Sequence, residues 1–272
     1  MVKHPVLKYY GSKFLLAEWI ISFFPAHKHY VEPFGGAANI LLLKPPSKLE
    51  TYNDLNDKIV NFFRILRERP AELIQQINLT PWSRKEYENC LFDEQGESEL
   101  ETARKLFWRL WMSFSGQFKT DRGSWRRSNK GRRCMRDDIR EDNLFAAAKR
   151  LQRVQIESRD AFKLIRELDA PETLFYLDPP YVFSTRTTRN SYSHEMTNDQ
   201  HREFAELLYG LKGFVILSGY PSAIYEELFE QKGWHRVDRQ ARVMGGAMKT
   251  ESLWFSPRTA ETINLLPKEE IC

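Results

Sequence analysis

HYVEPFGGAANILLL, residues 29–43, decides the fold. It reads as a short strand, a turn at Gly35 and Gly36, and a helix start that the Pro45-Pro46 pair interrupts. A second strand through LETYND (49–54) completes a β-α-β unit, the building block of an α/β sheet. Glycines without a Cβ let a ligand approach the backbone, and the N–H groups of the following helix face it. The same turn also serves a plain strand-to-helix connection with no ligand. Asp54 favours the ligand: it lies eighteen residues beyond Gly36, at the end of the next strand, where a carboxylate can accept both hydroxyls of a ribose. An adenosine-containing cofactor is therefore expected. NAD and S-adenosylmethionine share that ribose, but Pro33 and Ala38 fit a dinucleotide fingerprint poorly.

Upstream, KFLLAEWIISFF (13–24) has helical apolar spacing and stops at Pro25. Downstream, helical periodicity runs from Asp54 to about Arg67, and residues 70–150 give helix-like segments without a credible strand. Strand signals return in VQIES, TLFYLD, GFVILSGY, WHRVDRQARV and SLWFSP, separated by helical stretches at Asp160–Leu168, Thr197–Leu211 and Ser222–Gln231. One sheet thus draws strands from both ends of the chain. The expected division is a catalytic domain of residues 1–57 and 154–272, with a mainly helical insertion at 58–153.

LFYLDPPYVF (174–183) ends an apolar strand with an acid, two prolines and an aromatic ring. Proline fixes its own φ and extends the residue before it, so Asp178-Pro179-Pro180 is a stiff hook. At the carboxyl end of a strand, the Asp178 carboxylate and the Pro179 carbonyl can converge as two acceptors with Tyr181 beside them. That pair suits a planar ring bearing an NH2 group, whose nitrogen must become tetrahedral to act as a nucleophile and then carries positive charge. A sulfonium methyl group is an electrophile that needs neither metal nor a covalent enzyme intermediate, so methyl transfer to nitrogen is the chemistry expected. A proline-capped strand entering a loop is the plainer alternative.

Composition narrows the class. The chain has 272 residues, 42% hydrophobic and 13% aromatic, enough for a packed core and unlike a disordered chain. The net charge of +4 is mild but uneven, since residues 119–136 carry eight Lys or Arg against Asp121 alone. Such a run seeks anions or is a solvated loop. Three scattered cysteines make neither a disulfide framework nor a zinc knuckle. With no secretory signal or membrane-length apolar run, a cytoplasmic protein is expected.

KYYGSK (8–13), EPFGGAANIL (32–41), YNDLN (52–56), RDAF (159–162), LDPPY (177–181), SYSHEMT (191–197), ILSGY (216–220) and KTESLWF (249–255) occur in that order. In these segments, which cover both flanks of the chain, the sequence resembles the Dam-like DNA adenine-N6 methyltransferases, phage and prophage members included. The resemblance implies a Rossmann-like S-adenosylmethionine-dependent methyltransferase sheet with an inserted DNA-recognition domain. It implies that Tyr9 and Lys13 help hold the cofactor, that Phe34, Gly35 and Gly36 cradle it, that Asp54 binds ribose, and that Asp160, Ala161 and Phe162 border its adenine. The catalytic quartet falls on Asp178, Pro179, Pro180 and Tyr181. Lys13 as a solvated charge and Phe162 as ordinary core remain the alternatives. Ala38 departs from the glycine of many relatives, which implies altered turn geometry and weaker cofactor binding.

A target adenine must be rotated out of the duplex, and Tyr181 is the expected stacking partner. Lys119, Arg122, Trp125, Arg126, Arg127, Lys130, Arg132 and Arg133 are expected to contact double-stranded DNA, and the loop after Tyr181 up to Tyr192 to order over it. The chain is expected to be a monomer, and whether it serves a restriction endonuclease or acts alone is left open by the sequence. The rival readings are an RNA or protein-glutamine amine methyltransferase, against which Asp178 and the basic insertion speak, and a DNA-binding protein with a decayed site, against which Asp54 and Asp178 speak.

Overall fold

Seven strands form one mixed sheet in a computed structural model that describes residues 1–92, 96–113, 125–127, 134–185, 195–242 and 248–265. The strands are β1 (His29–Glu32), β2 (Leu49–Asn53), β3 (Gln155–Glu157), β4 (Thr173–Leu177), β5 (Phe214–Gly219), β6 (His235–Arg242) and β7 (Met248–Phe255). Their spatial order is β3-β2-β1-β4-β5-β7-β6. The first five run parallel, and β7 enters antiparallel between β5 and β6, pairing Leu217 with Trp254 and Val237 with Leu253.

The central strands are apolar almost throughout because both faces of the sheet are covered. Every residue of β4 and β5 is buried. Side chains alternate between two cores as the period of a strand requires. Tyr30, Leu174, Tyr176, Ile216 and Leu253 join one hydrophobic cluster, while Val31, Phe175, Leu177, Leu217 and Trp254 join the other. The second cluster is completed by α8 (Ala161–Leu168), α9 (Asn198–Tyr209) and α10 (Ala223–Leu228).

The first face is covered by α1 (Ala17–Ile21), α2 (Asn39–Leu43) and the helices α3 (Asp57–Glu68), α4 (Pro70–Leu79), α6 (Glu99–Met112) and α7 (Glu141–Leu151), with α5 (Arg84–Asn89) beside them. Residues 58–153 are accordingly helical where described, apart from an isolated bridge between Ser113 and Trp125. Their apolar side chains merge with the core of the sheet in one cluster. A buried ion group fastens the join. Arg150 on α7 donates to both Glu50 oxygens and to the Leu41 carbonyl, and Lys44 donates to Glu50 Oε1 at 2.6 Å. The remaining helix, α11 (Pro257–Thr262), follows β7. No helix among the described residues is long and apolar enough to cross a membrane.

The chain steps outward from β1 to β2 and β3 on one side, and from β4 to β5 on the other. The strand order therefore reverses between β1 and β4. In open α/β sheets a crevice for ligands lies at such a point, beyond the carboxyl ends of the strands.

Candidate active site

A cavity of about 460 Å³ occupies that crevice. Its lining collects residues from four separated stretches: Tyr9 and Lys13, the turn Phe34–Gly36, Asp54, and Asp160–Phe162, with Asp178 and Pro180 on a further wall. Every cofactor residue expected from the sequence is therefore in one cavity. Pro179 and Tyr181 are buried behind that wall and do not line it.

The turn after β1 is locked from below. Gly36 N donates to Asp54 Oδ2 and Asn56 N to Asp54 Oδ1, each at 2.8 Å, so the acid ending β2 ties the glycine turn to the start of α3. Tyr52 lies beneath, its hydroxyl donating to the Gly36 carbonyl at 2.8 Å. A Cβ on Gly35 would stand 2.1 Å from Tyr52 Cε2, so no other residue fits that ring. Asn53 clamps two neighbouring loops, its amide donating to the Pro33 carbonyl at 2.8 Å and the Arg159 carbonyl at 3.0 Å. Ala38 adopts φ 54° and ψ 27°, fully buried, in the left-handed region that favours glycine. The departure expected at Ala38 is seen as an alanine held in a left-handed conformation.

Asp160 caps α8, its Oδ1 accepting from Lys163 N at 2.9 Å. Phe162 stacks on Phe204 at 5.1 Å, and Phe34 meets the same ring edge-on at 5.6 Å. Phe204, on α9 and fully buried, backs these two cavity-lining rings, a grouping that only the folded chain assembles. Carboxylates at Asp54 and Asp160 as hydroxyl and amine acceptors, aromatic surface between them, and acids at the opposite end suit an adenosine bearing a cationic tail.

At that opposite end lie Asp178, Glu32 and Lys13. The Lys13 ammonium donates to the Gly11 carbonyl at 3.2 Å and forms ion pairs with Asp178 Oδ2 at 3.0 Å and Glu251 Oε1 at 3.4 Å. Burial works against its charge, but Asp178 and Glu251 outweigh burial and raise its pKa. Burial raises the Asp178 pKa, with Lys13 opposing the shift and Glu251 adding to it. Glu32 is 2% exposed, and burial pushes its carboxyl up to about 8 although Tyr30 Oη and Leu41 N both donate to its Oε2. Lys13, assigned to the cofactor by resemblance, thus has its ammonium committed to protein acceptors.

The Tyr181 ring is 4% exposed. Its hydroxyl donates to Glu251 and lies 3.1 Å from Ser218 Oγ, Lys13 Nζ stands 4.8 Å from its centroid, and Tyr220 packs edge-on at 4.7 Å. Half-buried Tyr220 is the more open of the two rings, and stacking of a base on Tyr181 requires that ring to be uncovered first. Glu32, Glu251, Ser218 and Tyr220 were not singled out by sequence reasoning, although each lies in a segment that carries the resemblance.

Of the residues expected at the DNA, Trp125, Arg126 and Arg127 are described and do not line the cavity. Arg126 N donates to the Met112 carbonyl at 2.8 Å, and Trp125 packs with Trp82 and Tyr87 under the Arg84 guanidinium. Arg126 Nη1 is buried without a hydrogen-bond partner among the described residues. Lys119, Arg122, Lys130, Arg132 and Arg133 lie outside the described residues, as does most of the loop between Tyr181 and Tyr192.

The chain is 28% identical over 251 residues to the type II methyltransferase M1.LlaDCHI of Lactococcus lactis subsp. cremoris, covering 86% of this chain and 87% of that protein. It is 26% identical over 195 residues to the modification methylase StsI of Streptococcus sanguinis, covering 68% of this chain and 29% of that longer protein. Residues 9–243, spanning both walls of the cavity, match the D12 class N6 adenine-specific DNA methyltransferases, and the chain belongs to that family.

Proposed function

We propose that this adenine-N6 DNA methyltransferase grips its target through Asp178 and the Pro179 carbonyl, which accept the two N6 hydrogens of an adenine turned out of the duplex. Tyr9, Lys13, Phe34, Gly35, Gly36, Asp54, Asp160, Ala161 and Phe162 shape the donor site, with Asp54 at the ribose and Phe162 against the cofactor adenine. S-adenosylmethionine held there would supply an electrophilic methyl group: the N6 lone pair would form the new N–C bond, the C–S electron pair would stay on sulfur to leave S-adenosylhomocysteine, and the acidic ammonium would lose its proton to solvent. Asp178 stabilises the charge that develops on nitrogen, and Pro180 and Tyr181 stiffen the hook behind it.

The observation that carries this reading is the position of Asp178. It stands on the wall of the same cavity as Asp54 and the glycine turn, and Lys13 holds one of its oxygens, Oδ2. That ion pair orients the carboxylate on the cavity wall, where an amine can meet it. Residues 58–153 form the target-recognition domain, with Lys119, Arg122, Trp125, Arg126, Arg127, Lys130, Arg132 and Arg133 at the DNA. Similarity to a type II methyltransferase and to a modification methylase supports service beside a restriction endonuclease.

Incubation with labelled donor and duplex DNA, followed by nucleoside analysis, tests the assignment. Asp178→Ala is expected to lose about 10² to 10³ in turnover while DNA affinity is kept. An Asp178→Ala enzyme that forms N6-methyladenine at the unmodified rate would remove Asp178 from the chemistry.

A further inference from the structure

An ammonium bonded to a catalytic carboxylate raises a difficulty. Methyl transfer moves positive charge onto the acceptor nitrogen, and Asp178 is to stabilise that charge. Lys13 Nζ, 3.0 Å from Asp178 Oδ2, cancels much of the field that Asp178 can offer. A site made of Lys13 and Asp178 alone carries no net charge.

Glu251 changes that balance. It sits on β7, at the first position of the strand's buried stretch, with its side chain 6% exposed. Its Oε1 pairs with Lys13 Nζ at 3.4 Å and accepts from Ser218 Oγ at 3.0 Å and from the Tyr181 hydroxyl. The two hydroxyl donors would be equally satisfied by the oxygen of a glutamine. A buried acid is costly where a neutral acceptor of the same shape suffices, so the charge itself needs a reason. One ammonium lies between two carboxylates, drawn from the N-terminal segment, the end of β4 and β7, and together they bear one net negative charge.

We infer that Glu251 is a positioning residue of the transfer site, which offsets Lys13 so that Asp178 can be held by an ammonium and still present net negative charge to the acceptor amine. Lys13 supplies orientation and Glu251 restores the field. The inference rests on the reading that Asp178 receives the amine. It goes beyond that reading by giving a role to an acid that touches neither substrate nor donor.

Charge and shape can be separated by substitution. Glu251→Gln keeps the acceptor oxygen and removes the charge; Glu251→Asp keeps the charge and shortens the reach. Single-turnover rates at saturating donor and duplex DNA are the readout, with DNA affinity measured alongside. Glu251→Gln is expected to slow transfer about 10- to 100-fold with little change in DNA affinity, while Glu251→Asp stays faster than Glu251→Gln. Removing both opposite charges in Lys13→Met/Glu251→Gln leaves Asp178 as the lone charge, and is expected to regain about tenfold over Glu251→Gln. Three results would each overturn the inference: Glu251→Gln at the unmodified rate, Glu251→Asp slower than Glu251→Gln, or a double variant no faster than Glu251→Gln.

Should Glu251→Gln not fold, Lys13→Met is compared with the double variant. Without Lys13 there is nothing to offset, so the added Glu251→Gln change is expected to alter the rate by less than about threefold, and a further tenfold fall would refute the role. Asp178→Ala, run in parallel, separates the two levels. An active Asp178→Ala enzyme defeats the underlying reading, whereas an inactive one beside an unaffected Glu251 series defeats only the role of Glu251.

Discussion

Replacing Gly35 with alanine is the sharpest test of how the cofactor turn is built. The added Cβ would lie 2.1 Å from Tyr52 Cε2, 2.5 Å from Cδ2 and 3.0 Å from the Asn53 carbonyl oxygen. Carbon atoms pack best at about 3.5 Å or more, so the overlap with the ring is about 1.4 Å. Tyr52 has no room to withdraw: it is fully buried, packs on Phe63 at 5.3 Å and holds the Gly36 carbonyl through its hydroxyl. Either the ring is driven from its pocket or the turn lifts away from β2 and breaks the Gly36–Asp54 bond. Overpacking of this kind costs about 1 to 3 kcal/mol, and a lost hydrogen bond adds about 1 kcal/mol. Together these lower the melting temperature by about 3 to 8 °C in a protein of this size. Because the same turn lines the donor cavity, donor affinity should fall about tenfold or more, equivalent to about 1.4 kcal/mol. Thermal unfolding and calorimetric titration with S-adenosylmethionine measure the two effects. A Gly35→Ala protein with unchanged melting and unchanged donor affinity would show that turn and ring are not interlocked.

Glu32 should leave a signature in stability against pH. Its carboxyl, pushed by burial from 4.5 to about 8, holds a proton in the folded protein that the unfolded chain has already released between those values. The folded state binds more protons there, so stability falls as pH rises, by about 1.4 kcal/mol per pH unit from this group. Glu32→Gln should flatten that slope in urea unfolding at pH 5.5 and 7.5, and equal slopes in the two proteins would contradict the assignment. Ala38→Gly relieves a left-handed alanine, a strain of about 1 to 2 kcal/mol, but gives up a buried methyl worth about 0.8 kcal/mol. A net gain of about 0.5 kcal/mol in urea unfolding is expected, and a loss above about 1 kcal/mol would show that the methyl matters more than the backbone. Arg126→Ala/Arg127→Ala should reduce the slope of log affinity for duplex DNA against log salt by about two, and an unchanged slope would take both residues out of the interface.

The architecture was largely legible in local sequence. Strand and turn signals at 29–43 and 49–54 are short-range, and their spacing specified a β-α-β unit before any contact was known. The uniformly apolar TLFYL and FVILSG announced strands covered on both faces, as β4 and β5 are. The insertion was read as helical and is helical where described, but its union with the sheet core depends on contacts across a hundred residues, such as Arg150 with Glu50. No local pattern encodes a pairing of that separation.

The site divides along the same line. The chemical types of Gly35, Asp54 and Asp178, and their places at strand ends, were settled by the sequence, because turn geometry and strand termination depend on neighbouring residues. The electrostatic environment of Asp178 was not. Lys13, Asp178 and Glu251 come from the N-terminal segment, the end of β4 and β7, and acquire a shared charge balance only when β7 enters the sheet antiparallel beside β5. Phe204 likewise comes to back the cavity-lining Phe162 only because α9 packs against α8. Local sequence chose the reactive groups, and tertiary structure set their charge and exposure, because Coulomb interaction and desolvation depend on distance in space, not separation along the chain.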